Sequence, residues 1–458
     1  MFATVRDVLL VGIWTPTRVM RILFITYHFP PFMTSGAVRT GQTARYLSTL
    51  GHDVRVVSAD NHPLRGGLPL EIPRDHVVYT AWVGSRLASS GEGWAHMAAD
   101  APARLAESEA ARGGLPLATW RVLRWVSRHG FYVPDKQIGW YPYALRAALR
   151  VMRDWPVDLI YASAWPVTSL LVAATASRIG RAPWVAELRD LWSDNHYVSL
   201  HGWQHWIDRR LENTVLGSAA GLVSMSRQAA EILEKRYAQP ICVIHSGFDP
   251  QARSASSTSH DSLQLTIVHL GWLYGGKRNP TPLFEALRLM GDNSRRIRVE
   301  FYGEEGALVE RLARSCGVEN SVAARGPVSH AESLARQAAA DILLLLTYDA
   351  PGEECVVPGK LFEYLGAGRP ILSIGAADGA VPDLIKGRRL GVVSSSPDEI
   401  AACLSRWLDE KRRTRRVETY PSSRVADFTR SAQMEKLSDF LRGIVPQFAF
   451  DSMGQPRS

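Results

Sequence analysis

Arg21-Ile-Leu-Phe-Ile-Thr-Tyr27, followed by His28-Phe-Pro-Pro-Phe-Met-Thr-Ser-Gly36, decides the fold class of this chain. The first seven residues are a short apolar run ending at turn-forming residues, the pattern of a strand buried on both faces. The Pro/Gly-bearing loop leads into helical periodicity from Val38 to Leu50 and then into a second strand, Asp53 to Ser58. Strand, loop, helix and strand in that order make a βαβ opening, which implies a parallel sheet. Working outward, further strands are expected at Val157 to Ala162, Trp184 to Glu187, Gly221 to Ser224 and Ile241 to Ile244, separated by helix-length segments. A polar, Ser-rich stretch from Gln251 to Gln264 breaks the alternation. It resumes with strands at Leu265 to Leu270, Arg298 to Tyr302, Ile342 to Leu346, Ile371 to Ile374 and Gly391 to Val393. The expected class is α/β, with two Rossmann-like domains facing each other across a cleft. The predicted boundaries are 20–250 for the first domain, 251–264 for a linker and 265–420 for the second. A helix within 421–445 is expected to pack back on the first domain, leaving 446–458 as a tail. Residues 1–19 read as an extension or a misplaced start, because Met20 directly precedes the first strand and nothing earlier is periodic.

Composition narrows the class. At 458 residues the chain is too long for one small module, and 46% hydrophobic residues exclude disorder as its main state. Lys plus Arg exceed Asp plus Glu by 53 to 45, a net charge of +8. Mean hydropathy is −0.10. The longest apolar runs, Leu9 to Trp14 and Ile342 to Leu346, fall far short of the roughly 20 residues that a membrane-crossing helix needs. Cys242, Cys316, Cys355 and Cys403 are scattered without a Cys-x-x-Cys, so neither a disulfide framework nor a zinc site is suggested. A reducing, cytoplasmic setting is the expectation.

In open parallel sheets ligands bind beyond the carboxyl ends of the strands, so chemistry is sought in the loops after Tyr27, Ile244, Leu270, Tyr302 and Leu346. The richest segment is Pro358-Gly359-Lys360-Leu-Phe-Glu363-Tyr-Leu-Gly-Ala-Gly368-Arg-Pro370. Pro-Gly opens a short helix, Lys360 and Glu363 share one face, and Gly366 to Gly368 stops it before a strand. A helix N-terminus with a lysine beside it attracts phosphate, and a carboxylate one turn on can accept hydrogen bonds from ribose hydroxyls. An exposed Lys-Glu pair is the plainer reading of the same spacing. A second phosphate candidate is Gly271-Trp-Leu-Tyr-Gly275-Gly276-Lys277-Arg278, leading into a helix from Thr281 to Met290. Its glycines permit close backbone approach, and Lys277 and Arg278 supply donors for a departing diphosphate. It lacks the Gly-Lys-Ser/Thr ending of a P-loop, and Ser35-Gly36 makes no dinucleotide fingerprint, which argues against an oxidoreductase.

With these segments in order, the sequence resembles a retaining glycosyltransferase of the GT-B fold, family 4, over roughly residues 20 to 445. The family's Gly-Arg-Leu-x-x-x-Lys appears as Gly271-Trp272-Leu273 and Lys277; its second motif appears as Glu363 followed by Ala367-Gly-Arg-Pro370. Other matching landmarks are Pro30-Pro31 with Gly36 and Arg39, Glu187-Leu-Arg189-Asp190-Leu-Trp192, His245-Ser-Gly247-Phe-Asp249, Tyr302-Gly303-Glu304 and Gly326-Pro-Val328-Ser-His330. Two positions depart. Trp272 replaces the motif arginine, passing that diphosphate contact to Arg278 or Lys360. Cys355 replaces the first motif glutamate, leaving Glu353 or Glu354 for the donor sugar.

The resemblance implies a nucleotide diphosphate sugar as donor, with UDP-sugar favoured, no cofactor and no metal. Lys277, Lys360 and Arg278 would serve the leaving diphosphate. Gly36, Gly271, Gly303, Val328, Glu354 and Glu363 would shape donor binding, with Glu363 on the ribose and the Gly36 amide on the phosphates. Ser163, Arg189 and Asp190 would stand on the acceptor side; relatives often carry a histidine where this chain has Tyr161-Ala-Ser163. The implied acceptor is a glycan, a lipid-linked molecule or a small hydroxyl compound, with no role for nucleic acid. Two other classes share these features: a sugar-nucleotide epimerase of the same fold, and a noncatalytic nucleotide-sugar-binding protein, suggested by Trp272 and Cys355.

Some residues read either way. His28 faces the cleft or is satisfied in its loop, and Trp192 stacks on a sugar or packs. From Thr119 to Trp155, Arg121, Arg124, Arg128, Lys136, Arg146, Arg150 and Arg153 alternate with aromatics, against Asp135 and Asp154. Tyr143, Ala147 and Val151 are expected on a buried face. The basic remainder is either a solvated surface or a rest on anionic lipid, placing the protein peripherally on the inner face of a membrane.

Overall fold

The computed structural model describes residues 19–60, 67–82, 133–198, 202–250 and 263–445. The first sheet has seven parallel strands: β1 Arg21–Thr26, β2 Asp53–Ala59, β3 Val77–Thr80, β4 Leu159–Ala164, β5 Trp184–Leu188, β6 Gly221–Ser224 and β7 Ile241–Val243, in the order β3-β2-β1-β4-β5-β6-β7. The second has six: β8 Leu265–Leu270, β9 Ile297–Tyr302, β10 Val322–Ala324, β11 Ile342–Leu346, β12 Ile371–Ile374 and β13 Gly391–Val393, in the order β10-β9-β8-β11-β12-β13. In both, strand order reverses at the first strand, between β1 and β4 and between β8 and β11. The crevices at these two reversals are where a doubly wound sheet binds its ligand. The apolar runs become central strands because helices cover both faces: β11 is buried along its whole length.

Helices on the first domain are α1 Ser35–Thr49, α2 Tyr141–Asp154, α3 Thr168–Gly180, α4 Gly202–Leu216 and α5 Arg227–Glu234. The second domain carries α6 Thr281–Leu289, α7 Gly306–Ser315, α8 His330–Ala339, α9 Gly359–Ala367, α10 Ala380–Arg388 and α11 Pro397–Thr414. α12, Arg430–Ile444, follows them and returns to the first domain. Its stripe Met434, Leu437 and Leu441 joins Ile22, Phe24 and Val54 in one core, and His52 Nε2 lies 2.8 Å from Ser438 Oγ. At the crossover Arg430 donates to Asp249 at 2.6 Å, and Phe248 packs against Gly366, where a side chain would crowd its ring.

Several expectations change. β4 begins at Leu159, not Val157, and β3 and β10 are short strands that the apolar pattern does not announce. Gly366 lies inside α9; Gly368, at φ +72°, ends the helix. On α2 the buried face is Ala144, Ala147 and Ala148, while Tyr143 is 41% exposed, so the expected Tyr143 stripe is displaced by one position. Asp135 is buried under Thr168, accepting from its amide at 2.8 Å, and does not offset the surface cations. Arg121, Arg124 and Arg128, most of the linker 251–264, nearly all of 1–19 and the tail 446–458 lie outside the described residues. Among the described residues no helix is long and apolar enough to cross a membrane, and all four cysteines are free.

Candidate active site

The second domain assembles three cations at the carboxyl ends of its central strands. Lys277 and Arg278 arrive on the loop after β8, and Lys360 arrives in the first turn of α9. Gly271 makes room for the lysine: a Cβ built there would lie 1.5 Å from Lys360 Nζ, and the backbone stands at φ +125°, where glycine is favoured. Gly303 is tight for a similar reason, since its Cβ would meet the Gly271 carbonyl oxygen at 2.3 Å. Burial, and next the positive charge of Arg278, push the Lys360 ammonium down to about 8. Lys277 Nζ sits 5.6 Å from the Tyr348 ring centroid, and Arg278 lies 4.4 Å over the Tyr274 ring. None of the three cations has a carboxylate within ion-pair distance among the described residues. Arg278 also lines a small cavity with Tyr348, Glu353 and Asp378. Cations held together without an ion-paired carboxylate, with Glu363 only partly offsetting the charge on Lys360, are a seat for an anion.

Glu363 lies one turn beyond Lys360 and is half-buried. Gln337 Nε2 donates to its Oε2 at 2.9 Å, and His330 Nδ1 is 3.9 Å from its Oε1. The fully buried Gln337 was invisible to spacing arguments, yet it fixes the rotamer of the carboxylate. Val328 is partly buried and packs against the core cluster that holds Leu361 and Tyr302.

The loop after β8 corrects a sequence expectation. Its amides are not free for a phosphate: Glu305 accepts from Leu273 N at 2.5 Å, Tyr274 N at 3.0 Å and Gly275 N at 2.7 Å. The carboxylate caps the turn and so presents Lys277 and Arg278 by their side chains alone. Nothing in the sequence signalled Glu305, which precedes α7 but turns away from its own helix.

The first domain contributes the facing wall. Gly36 lies in the first turn of α1, whose leading amides have no intrahelical acceptor, and its missing side chain leaves room for Arg189, whose Nη1 would sit 2.5 Å from a Cβ. Arg189 is held by donating to the carbonyls of Ala164 at 2.6 Å and Trp165 at 2.5 Å. Asp190 beside it is pushed up by burial. Ser163 is fully buried opposite Glu187 in the sheet, beneath the cleft surface. Arg39 pairs with Glu187 at 2.6 Å inside the domain, and Trp192 is buried with its Nε1 donating to Asp208 at 2.9 Å; both are structural. His28 is half-buried against Tyr27 and its carbonyl accepts from Thr40 Oγ1 at 2.7 Å.

Contacts between the domains complete the site. Glu353 accepts from Tyr197 Oη and lies 3.1 Å from His196 Nε2. Ser226 Oγ donates to the Cys355 carbonyl at 2.7 Å, and His245 joins Phe362 and Phe428 in a three-ring cluster with centroids 5.2 to 6.0 Å apart. Glu354 instead accepts from the Gly352 amide of its own loop at 2.7 Å. The two acids beside Cys355 thus have different tasks, which the sequence alone left open. A roomier surface hollow by Arg209, Arg236 and Tyr237 lies away from these loops, and its arginines are already paired with Asp194.

Comparison with known proteins agrees with this architecture. Residues 35–247 match the model of the glycosyl transferase 4-like domain family. Among solved structures, Anabaena HepE in complex with UDP is similar at 16% identity and TM-score 0.61, covering 92% of this chain and 99% of its own. Sucrose-phosphate synthase from Thermosynechococcus elongatus is similar at 14% identity and TM-score 0.62, covering 93% and 99%. A putative UDP-N-acetylglucosamine 2-epimerase from Listeria monocytogenes is similar at 12% identity and TM-score 0.52, covering 94% and 98%. No curated protein sequence matches. The chain therefore has the two-domain GT-B fold, and its residues 35–247 are similar to the glycosyl transferase 4-like domain.

Proposed function

We propose that this protein is a retaining, metal-independent glycosyltransferase that moves a sugar from a nucleotide diphosphate sugar to a hydroxyl acceptor, in polysaccharide or glycolipid assembly. The observation that carries the reading is the trio Lys277, Arg278 and Lys360, none of them in an ion pair among the described residues, with Glu363 fixed one turn beyond the lysine. The trio suits a diphosphate and Glu363 suits a ribose. As the bond from the sugar carbon to the diphosphate breaks, charge develops on the leaving oxygens, and preorganised cations stabilise it there. The acceptor oxygen forms the new bond on the same face and passes its proton to the departing diphosphate. Gly36 and Arg189 close the opposite wall, and the Glu353 contacts to His196 and Tyr197 hold the sugar-side loop against the first domain. HepE has been solved with UDP-glucose and with UDP and glucose, which makes these the first ligands to test.

Lys360→Ala should lower turnover by about 10²-fold or more, the scale for one preorganised charge stabiliser, and Glu363→Gln should chiefly weaken donor binding. Unchanged kinetics in both variants would leave a solvated helix face and refute the reading. Donor consumption without any acceptor would favour the epimerase alternative, and binding without turnover the noncatalytic one.

A further inference from the structure

α4 buries Val215 and Leu216 in the first-domain core, but it departs from an ordinary surface helix in where its acids and tryptophans face. Its two acids, Asp208 and Glu212, are buried: Asp208 accepts from Trp192, and Glu212 accepts from Ser193 and Tyr237. Its tryptophans face outward, Trp203 at 56% and Trp206 at 61% exposure, joined by Ile207 and by Val198 just before the helix. Trp203, Trp206, Ile207 and Arg210 follow at i, i+3, i+4 and i+7, so they form one continuous stripe. Arg210 lies 5.2 Å over the Trp206 ring and has no carboxylate partner among the described residues. With both acids turned inward, the exposed face of α4 carries only apolar rings, an aliphatic side chain, uncharged polar groups, His205 and a cation.

We infer that this face of α4 is a docking surface for an anionic lipid membrane. Other exposed large apolar residues, such as Met33, Ile179 and Leu289, are scattered along the chain, whereas here two exposed tryptophans and an isoleucine share one helix face, the form of a binding surface. Tryptophan beside arginine matches the boundary between headgroups and acyl chains, where an indole is half apolar and the cation meets phosphate. A second copy of this chain is the poorer occupant: at net charge +8 it would bring cation towards cation. The surface is also placed for the cleft. His196 and Tyr197, which reach Glu353, stand a few residues before α4 in the sequence, so a membrane under this helix lies near the domain-closing contact. The inference goes beyond the transferase reading and does not depend on it.

The test is co-sedimentation of the full chain with vesicles of phosphatidylglycerol and phosphatidylcholine, and with vesicles of phosphatidylcholine alone. The wild-type chain should bind the mixed vesicles and lose binding as salt rises. With roughly 100 Å² of ring surface per tryptophan at stake, Trp203→Ser with Trp206→Ser should lower the partition coefficient about 100-fold or more. Arg210→Ala should lower it about fivefold. Because these side chains are exposed, melting temperatures should stay within about 2 °C of wild type, separating lost docking from lost folding. Wild-type failure to sediment, equal binding to neutral vesicles, or undiminished binding by the double variant would each overturn the inference. Concentration-dependent self-association that vanishes in the double variant would overturn it too, assigning the stripe to a second copy.

Discussion

Gly271→Ala offers a sharp test of how the anion seat is built, because the perturbation is one methyl group and its consequence follows from two distances. The new carbon would lie 1.5 Å from Lys360 Nζ and 2.9 Å from Cε. Ordinary contact begins near 3.4 Å, so the ammonium must retreat by about 2 Å. A displacement of about 1 Å at a reacting centre already costs about 10²-fold, and loss of one charge stabiliser costs about 10² to 10³. Turnover in Gly271→Ala should therefore approach that of Lys360→Ala. The backbone adds its own penalty: at φ +125° a side chain is strained by roughly 1 to 3 kcal/mol, lowering the melting temperature by about 2 to 12 °C for a domain of this size. Turnover, UDP affinity by calorimetry and melting temperature should be measured for both single variants and the double. If the glycine acts through the lysine, the double variant should be little worse in turnover than Lys360→Ala, a strongly non-additive cycle. Wild-type turnover in Gly271→Ala, or fully additive losses, would refute the reasoning.

The Lys360 ammonium, held down to about 8, should make donor affinity pH-dependent. Below that pH the group is cationic and holds the diphosphate; above it the free protein has a neutral amine that must be reprotonated on binding. UDP affinity should then fall as pH rises through about 8, by up to about tenfold per unit, and Lys360→Arg, which stays charged, should flatten the profile; a flat wild-type profile between pH 7 and about 9.5 would contradict it. Glu305→Ala should strip the shared acceptor from three amides of the loop after β8, lowering stability by about 1 to 3 kcal/mol and loosening Arg278 three residues on. Thermal unfolding and UDP binding that both match wild type would show that the cap does not hold the loop.

By itself the sequence determined the architecture, because a doubly wound sheet announces itself locally. A central strand buried on both faces must be a short apolar run, and Leu265–Leu270, Ile342–Leu346 and Ile371–Ile374 stand where such runs were read. The edge strands β3 and β10 escaped notice because they are short and half-solvated, so their composition carries little signal. Lys277, Arg278 and Lys360 stood out as candidates for a related reason: they lie in the loop after a strand or in the first turn of a helix, where a side chain can face a cleft, and Glu363 follows one turn on. Tertiary structure alone decided their company. That Glu305 occupies the amides the loop seemed to offer, that Gln337 orients Glu363, and that Glu353 reaches His196 and Tyr197 while Glu354 turns back to Gly352 are contacts between residues distant in sequence or equivalent in type. The outward face of α4 is of the same kind. Its tryptophans and acids have the spacing of any amphipathic helix, and only the docking of Asp208 against Trp192 and of Glu212 against Ser193 shows which side faces in. Periodicity specifies that a helix has two faces; the buried partners available to its polar groups select the one that meets water.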